Sequence, residues 1–204
     1  MDIFDFADSL MNAMADRRTD MRFLTVYRIV KVEHAGDEGL GCCRNISDGG
    51  AKLELHMDLY LGDKVTVAFS SEHLLCGKVV WARGNDYGIA FDKPVDCMAL
   101  LGGTAMPSRS ASPRAPRLNT SLPARISYDG GTCCSVVSDI SVRGMKIASG
   151  FEPGLRVRVI LDGGRECEGI VQWTQDNVAG VLLLEPFRIE DLGSVQRLCR
   201  TRLN

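Results

Sequence analysis

The chain has 204 residues, 45% of them hydrophobic and 25% charged, with a net charge of −2. This is the composition of a globular protein of one large or two small domains, and it lacks the strongly basic balance of a dedicated nucleic-acid binder. No run approaches the ~20 apolar residues of a membrane span, so neither nucleic-acid binding nor membrane insertion is expected.

Residues 1–16 place Ile3, Phe6, Leu10 and Met14 at helical spacing, with Asp2, Asp5, Asp8 and Asp16 mainly on other faces. This predicts an amphipathic N-terminal helix. It carries no base before Arg17, unlike the basic start of a secretory signal, so a cytoplasmic protein is expected. From there the apolar period is two, the mark of half-buried antiparallel strands. Val65, Val67 and Phe69 alternate with polar residues, as do Leu53 and Leu55. Six strands are predicted near 23–33, 39–45, 50–56, 64–70, 74–82 and 86–92, with a short helix after residue 94. Residues 102–116 are rich in Gly, Pro and Ser without an apolar period, and read as a linker. Six more strands follow near 120–128, 133–139, 144–149, 155–161, 165–174 and 178–184. The chain then places Leu192, Val195, Leu198 and Cys199 on one face of a C-terminal helix. Each flanking helix is expected to cover its own barrel.

The second set of strands repeats the first. NISDGGAKLEL at 45–55 returns as DISVRGMKIAS at 139–149, and GKVVWA at 77–82 as GIVQWT at 169–174. Trp81 matches Trp173 and Gly88 matches Gly180. A unit of this size is a small domain, not a solenoid repeat. Six short strands cannot make a wide sheet covered on both faces, and closing into a barrel removes the exposed edges. The expected fold is therefore all-β: two tandem six-stranded antiparallel barrels, at 17–101 and 117–204, with short flanking helices.

No enzymatic constellation is present. The three histidines form no HExxH, and there is no GxSxG, Walker loop or dinucleotide fingerprint. The eight cysteines include two Cys-Cys pairs but no CxxC. Adjacent strand residues face opposite sides, so no metal site is read from them, and they are taken as small core residues.

Two motifs remain. DRRTDMR at 16–22 spaces Arg18 and Arg22 as RxxxR, and NISDGG places Asn45, Ser47 and Gly50 as [DN]xSxxG. Asn, Ser, Asp and Gly would also make a good turn with no ligand. Both motifs in this order resemble the signatures of the PilZ family, and the repeat makes the chain similar to a tandem PilZ protein. The resemblance implies six-stranded barrels that bind cyclic di-GMP without catalysis and need no cofactor. It assigns Arg18 and Arg22 to phosphate and guanine, and Asn45, Ser47 and Gly50 to guanine, with Arg17 and Arg44 as auxiliaries. Arginine suits such a ligand by pairing bidentately with phosphate and by reaching or stacking on guanine.

The second copy keeps Asp139, Ser141 and Gly144, but Arg114 and Arg117 are spaced RxxR, and Pro113 stands where RxxxR would need arginine. These five residues are its candidate site. The implied function is a receptor that passes the nucleotide level to an effector protein through ligand-dependent rearrangement, of the arginine segment or of the angle across the linker. The alternative is a nucleotide-independent protein–protein adaptor on the same fold.

Overall fold

The structure is a computed structural model that describes residues 26–70, 73–101 and 115–200. The predicted N-terminal helix, Arg17, Arg18, Arg22 and Arg114 lie outside the described residues.

Twelve strands form two closed antiparallel barrels among the described residues. The first comprises β1 (Arg28–His34), β2 (Asp37–Ser47), β3 (Gly50–Leu55), β4 (Lys64–Ala68), β5 (Leu74–Arg83) and β6 (Asp86–Phe91), ordered β1-β2-β3-β6-β5-β4 and closed by β4 on β1. The second repeats that order with β7 (Leu118–Tyr128), β8 (Gly131–Ser141), β9 (Gly144–Ile147), β10 (Arg156–Leu161), β11 (Glu166–Gln175) and β12 (Val178–Leu183). The strand count and order of elements agree with the period-two reading. Strands β2 and β8 run longer than predicted because their hairpins are tight. At the β1–β2 turn Ala35 and Gly36 both take positive φ (47° and 79°), as a two-residue turn matched to strand twist requires.

Inward residues of each barrel form its core. Val30, Val32, Ile46, Leu53, Leu55, Val67 and Ile89 fill the first, and Leu122, Ile126, Val137, Ile140, Met145 and Ile147 the second. The short helix α1 (Cys97–Leu100) closes the first barrel. Its N-cap Asp96 accepts from Ala99 N at 3.0 Å, and Arg28 donates to the Leu100 carbonyl at 3.1 Å. A 3-10 helix (Ile189–Leu192) and α2 (Val195–Arg200) end the described chain.

Two expectations need correction. The C-terminal helix does not serve its own barrel alone. Leu192, Val195 and Leu198 face the second core, but Ser194 and Gln196 N donate to Asp37 of β2, and Arg197 donates to the His56 carbonyl at 2.9 Å. Second, the cysteines are not uniformly core residues: Cys42, Cys43 and Cys97 are buried, whereas Cys76, Cys134 and Cys199 are exposed. The exposed three occupy outward or helix-surface positions that composition does not distinguish.

Ile147→Ala, which opens a void in the second core, is expected to cost about 2–5 kcal/mol in urea or thermal unfolding. Burial pushes the Cys43 and Cys97 thiols up to about 12 from an ordinary 9.0. The folded state thus keeps protons that the unfolded chain sheds. The resulting stability is present below pH 9.0 and is lost as pH climbs toward about 12. Alkylation at pH 8 should label Cys76, Cys134 and Cys199 and spare Cys43 and Cys97 until the protein unfolds.

Candidate functional site

The [DN]xSxxG segment is the β2–β3 hairpin in the first barrel and the β8–β9 hairpin in the second. Its serine and glycine have a structural task. Ser47 Oγ donates to the Gly50 carbonyl at 3.3 Å, and Ser141 Oγ to the Gly144 carbonyl at 3.1 Å. A Cβ on Gly50 would fall 2.3 Å from the Ile89 carbonyl oxygen, and one on Gly144 would fall 2.7 Å from that of Val181. Only glycine lets the neighbouring strand approach so closely. Asp48, within the same motif, accepts from Cys97 N at 3.3 Å and so ties the hairpin to α1.

What faces outward is set by β-bulges. Register shifts between Cys43 and Asn45, and again between Val79 and Trp81. Each bulge adds one residue, Arg44 or Val80, and reverses the in–out parity beyond it. Cys43 and Val79 are buried, while Asn45 and Trp81 come to the outer face. There Asn45 pairs with Lys52, Lys52 with Gly88, and Gly88 with Trp81, giving one row across four strands. The indole lies flat on the glycine: a Cβ on Gly88 would sit 2.0 Å from Trp81 Nε1. The same bulges in the second barrel build the row Asp139, Lys146, Gly180 and Trp173. A Cβ on Gly180 would sit 2.1 Å from Trp173. The two tryptophans are 41% and 42% exposed, large values for aromatic residues, so each presents an open ring face to solvent.

Charge differs between the rows. In the first, Asn45 is neutral, and Lys52 turns to Asp86 at 2.8 Å. Arg44 is held by Glu54 through Nε at 2.7 Å and through Nη2, and its guanidinium stacks over the Tyr27 ring at 4.3 Å. The hydrogen bond to Glu54 raises the Arg44 pKa further. Its Nη1 is buried with no hydrogen-bond partner among the described residues. Arg44, Asn45, Lys52, Glu54, Arg83 and Asp86 line an open groove of about 580 Å³. In the second barrel Asp139 is nearly buried and takes both Arg117, through Nε, and Lys146, at 3.1 Å. Arg117, Ser141, Arg143, Lys146, Trp173 and Leu182 line a groove of about 670 Å³. The side chain of Arg143 makes no ion pair among the described residues.

The structure therefore brings Asn45, Ser47, Gly50 and Arg44 to one end of the first barrel, and Arg117, Asp139, Ser141 and Gly144 to the matching end of the second. Lys52, Lys146, Glu54, Tyr27 and the two tryptophans were missed as site residues. A signal existed for some. Lys52 lies two residues past Gly50, and each tryptophan precedes a glycine by seven residues in both repeats. Among the described residues no group of three or more His, Cys, Asp or Glu is placed to hold a metal ion. None of the described helices is long and apolar enough to cross a membrane.

The family model described as PilZ domain matches residues 16–98 and 109–200. Among solved structures, the chain is similar to the Borreliella burgdorferi PlzA protein in complex with c-di-GMP, at 14% identity over 97% of this chain and 99% of that one, TM-score 0.33. It is similar to the Bacillus subtilis inhibitor of motility MotI/DgrA at 15% identity over 89% and 99%, TM-score 0.34. The K. pneumonia MrkH–c-di-GMP complex matches at 12% identity over 85% and 84%, TM-score 0.31. No curated protein matches the chain in sequence.

The flat seating of the indole is testable with Trp173→Phe as the parent, which leaves Trp81 as the sole tryptophan, excited selectively at the red edge of its absorption. Gly88→Ala should lift the ring, shift its emission to longer wavelength and cost about 1–3 kcal/mol in stability. An unchanged spectrum would show that the ring does not rest on Gly88.

Proposed function

The chain belongs to the PilZ family, and we propose that it is a cyclic di-GMP receptor without catalytic activity, passing the nucleotide level to a partner protein. The observation that carries this reading is the outer-face row beside the [DN]xSxxG hairpin. A hydrogen-bonding Asx, a lysine and an exposed indole stand side by side, next to an arginine already oriented by a carboxylate.

Each part answers a feature of the ligand, which has two phosphates and two guanines. Asn45 offers an amide to a guanine edge. The Trp81 face offers a stacking surface worth about 1–3 kcal/mol per base. Lys52 and Arg44 supply positive charge, each partly satisfied by an acid that a phosphate would displace. Arg18 and Arg22, with Arg17 beside them, precede β1 and complete the first site in this proposal. The ligand-dependent rearrangement in this proposal is the engagement of Arg18 and Arg22 with a nucleotide bound at the hairpin. In the second barrel Arg117, Asp139, Ser141 and Gly144 stand in the corresponding places, with Arg114 upstream, and form a second candidate site.

A nucleotide-independent adaptor is the second reading. Leu182 and Leu184 favour it, since they stand 47% and 46% exposed on the outer face of the second barrel, where a protein partner would cover them.

Calorimetric titration with cyclic di-GMP separates the two. The wild type should release or absorb heat on binding, and Arg18→Ala or Arg22→Ala should weaken binding more than tenfold, roughly 1.5–3 kcal/mol for lost charge-assisted bonds. Trp81→Ala should cost about 1–3 kcal/mol. No heat from the folded wild type at millimolar nucleotide would reject the receptor and leave the adaptor.

A further inference from the structure

Strand β2 carries the Asx-x-Ser motif at its C-terminal end, and its N-terminal end is built into the other barrel. Four consecutive residues do this. Leu40 pairs with Lys31 and points to the outer face of the first barrel, the face that normally meets water. It is nonetheless 0% exposed, because it lies in the core cluster of the second barrel with Leu118, Leu122 and Leu192. Ile29, on the adjacent strand, packs against the same cluster. At Gly39 the two backbones touch: a Cβ there would fall 1.9 Å from the carbonyl oxygen of Gly193, just before α2. Gly193 is closed in from the other side, since its own Cβ would meet His56 Cβ at 2.5 Å.

The remaining two residues are acids with donors from the second barrel. Glu38 accepts from Asn119 N at 2.8 Å and from its side-chain Nδ2 at 3.3 Å. Asp37 accepts from Ser194 Oγ at 2.5 Å and from Gln196 N at 3.0 Å, so it caps a helix that belongs to the other barrel. Arg197 adds Asp58 at 2.7 Å.

We propose that the two barrels are one cooperative folding unit, with residues 37–40 of β2 as a fixed joint and not a hinge. A hinge between domains has a polar surface that can part and rehydrate. This joint has a core leucine seated across it and a glycine–glycine contact that only one relative placement satisfies. Rotating the barrels would pull Leu40 from the second core and strip donors from two carboxylates. The angle between barrels is therefore not what a ligand changes, and a ligand held at the far end of β2 stabilises both barrels.

The protein carries its own reporters, one tryptophan per barrel. Trp173→Phe leaves Trp81 to follow the first barrel, and Trp81→Phe leaves Trp173 to follow the second. Thermal unfolding without ligand should give one midpoint by both reporters. Adding Ile147→Ala, on β9 in the second core and outside residues 37–40, should lower both midpoints together, by roughly 5–15 °C. With Gly39→Val also present, the wedge against Gly193 should confine the Ile147→Ala effect to Trp173. Should Ile147→Ala not fold, Ile147→Val gives the same comparison with a smaller shift. Separate midpoints in the parent proteins, or a Trp81 midpoint indifferent to the Ile147 change, would overturn the proposal. Coupling that survives Gly39→Val would overturn the joint. None of these measurements needs nucleotide, so their outcome is independent of whether the chain binds cyclic di-GMP.

Discussion

The site depends on parity. A barrel strand alternates strictly between core and solvent, so Cys43 and residue 45 should share a face, and so should Val79 and residue 81. Without the extra residue in each strand, the Asn45 amide would enter an apolar core. There an unpaired amide costs several kcal/mol, of order 2–7. The bulges at Arg44 and Val80 avoid this by moving both side chains outward at once. The two bulges lie on strands that do not neighbour each other, with β3 and β6 between them, yet they serve one row. The second barrel places them identically. One bulge alone would put an amide or an indole on the surface, but not beside each other.

Within that shared frame, one substitution of side-chain chemistry separates the two sites. Asn45 in the first row carries no charge to pair with Lys52, which turns the other way, to Asp86 on β6. Asp139 in the second can, and it binds Arg117 and Lys146 simultaneously. A carboxylate with two cations is a closed arrangement that an anionic ligand must open. A neutral amide flanked by a lysine asks less of an incoming phosphate, though Glu54 holds Arg44 in a comparable way. The second groove offsets its internal pairing with Arg143, which has no ion pair among the described residues, and with a more apolar wall at Leu182.

Much of the fold was legible because its signals are local. Period two marks strands, and the repeat of NISDGG as DISVRG, with Trp81 and Trp173 in step, fixes two copies of one barrel. The site was legible only where residue type is distinctive. Asn45 and Ser47 stand out as polar turn residues, and Arg117 as a cation before a strand. Lys52 does not stand out, because a lysine on a strand's solvent face is ordinary. Its place in the row depends on a bulge, which leaves no composition signal. The joint was illegible for a related reason. Leu40 is one apolar residue in the strand predicted near 39–45, and only the packed structure reveals that it faces outward into the core of the second barrel.

The motif and the joint occupy opposite ends of β2, and this constrains how binding is felt. The hairpin is preorganised: Ser47 bonds the Gly50 carbonyl, Gly50 admits β6, and Asp48 ties the turn to α1. Groups already held in place lose little freedom on binding. The joint is equally committed, with Leu40 fully buried and both acids bonded. A ligand at the proposed site would meet a strand held in place both at the point of contact and where the barrels meet. Differential affinity for two states is needed for any ligand to act as a switch, and β2 offers only one state. In the proposed receptor the second state therefore lies outside β2, and the strand serves as the fixed frame against which a ligand-dependent change is made.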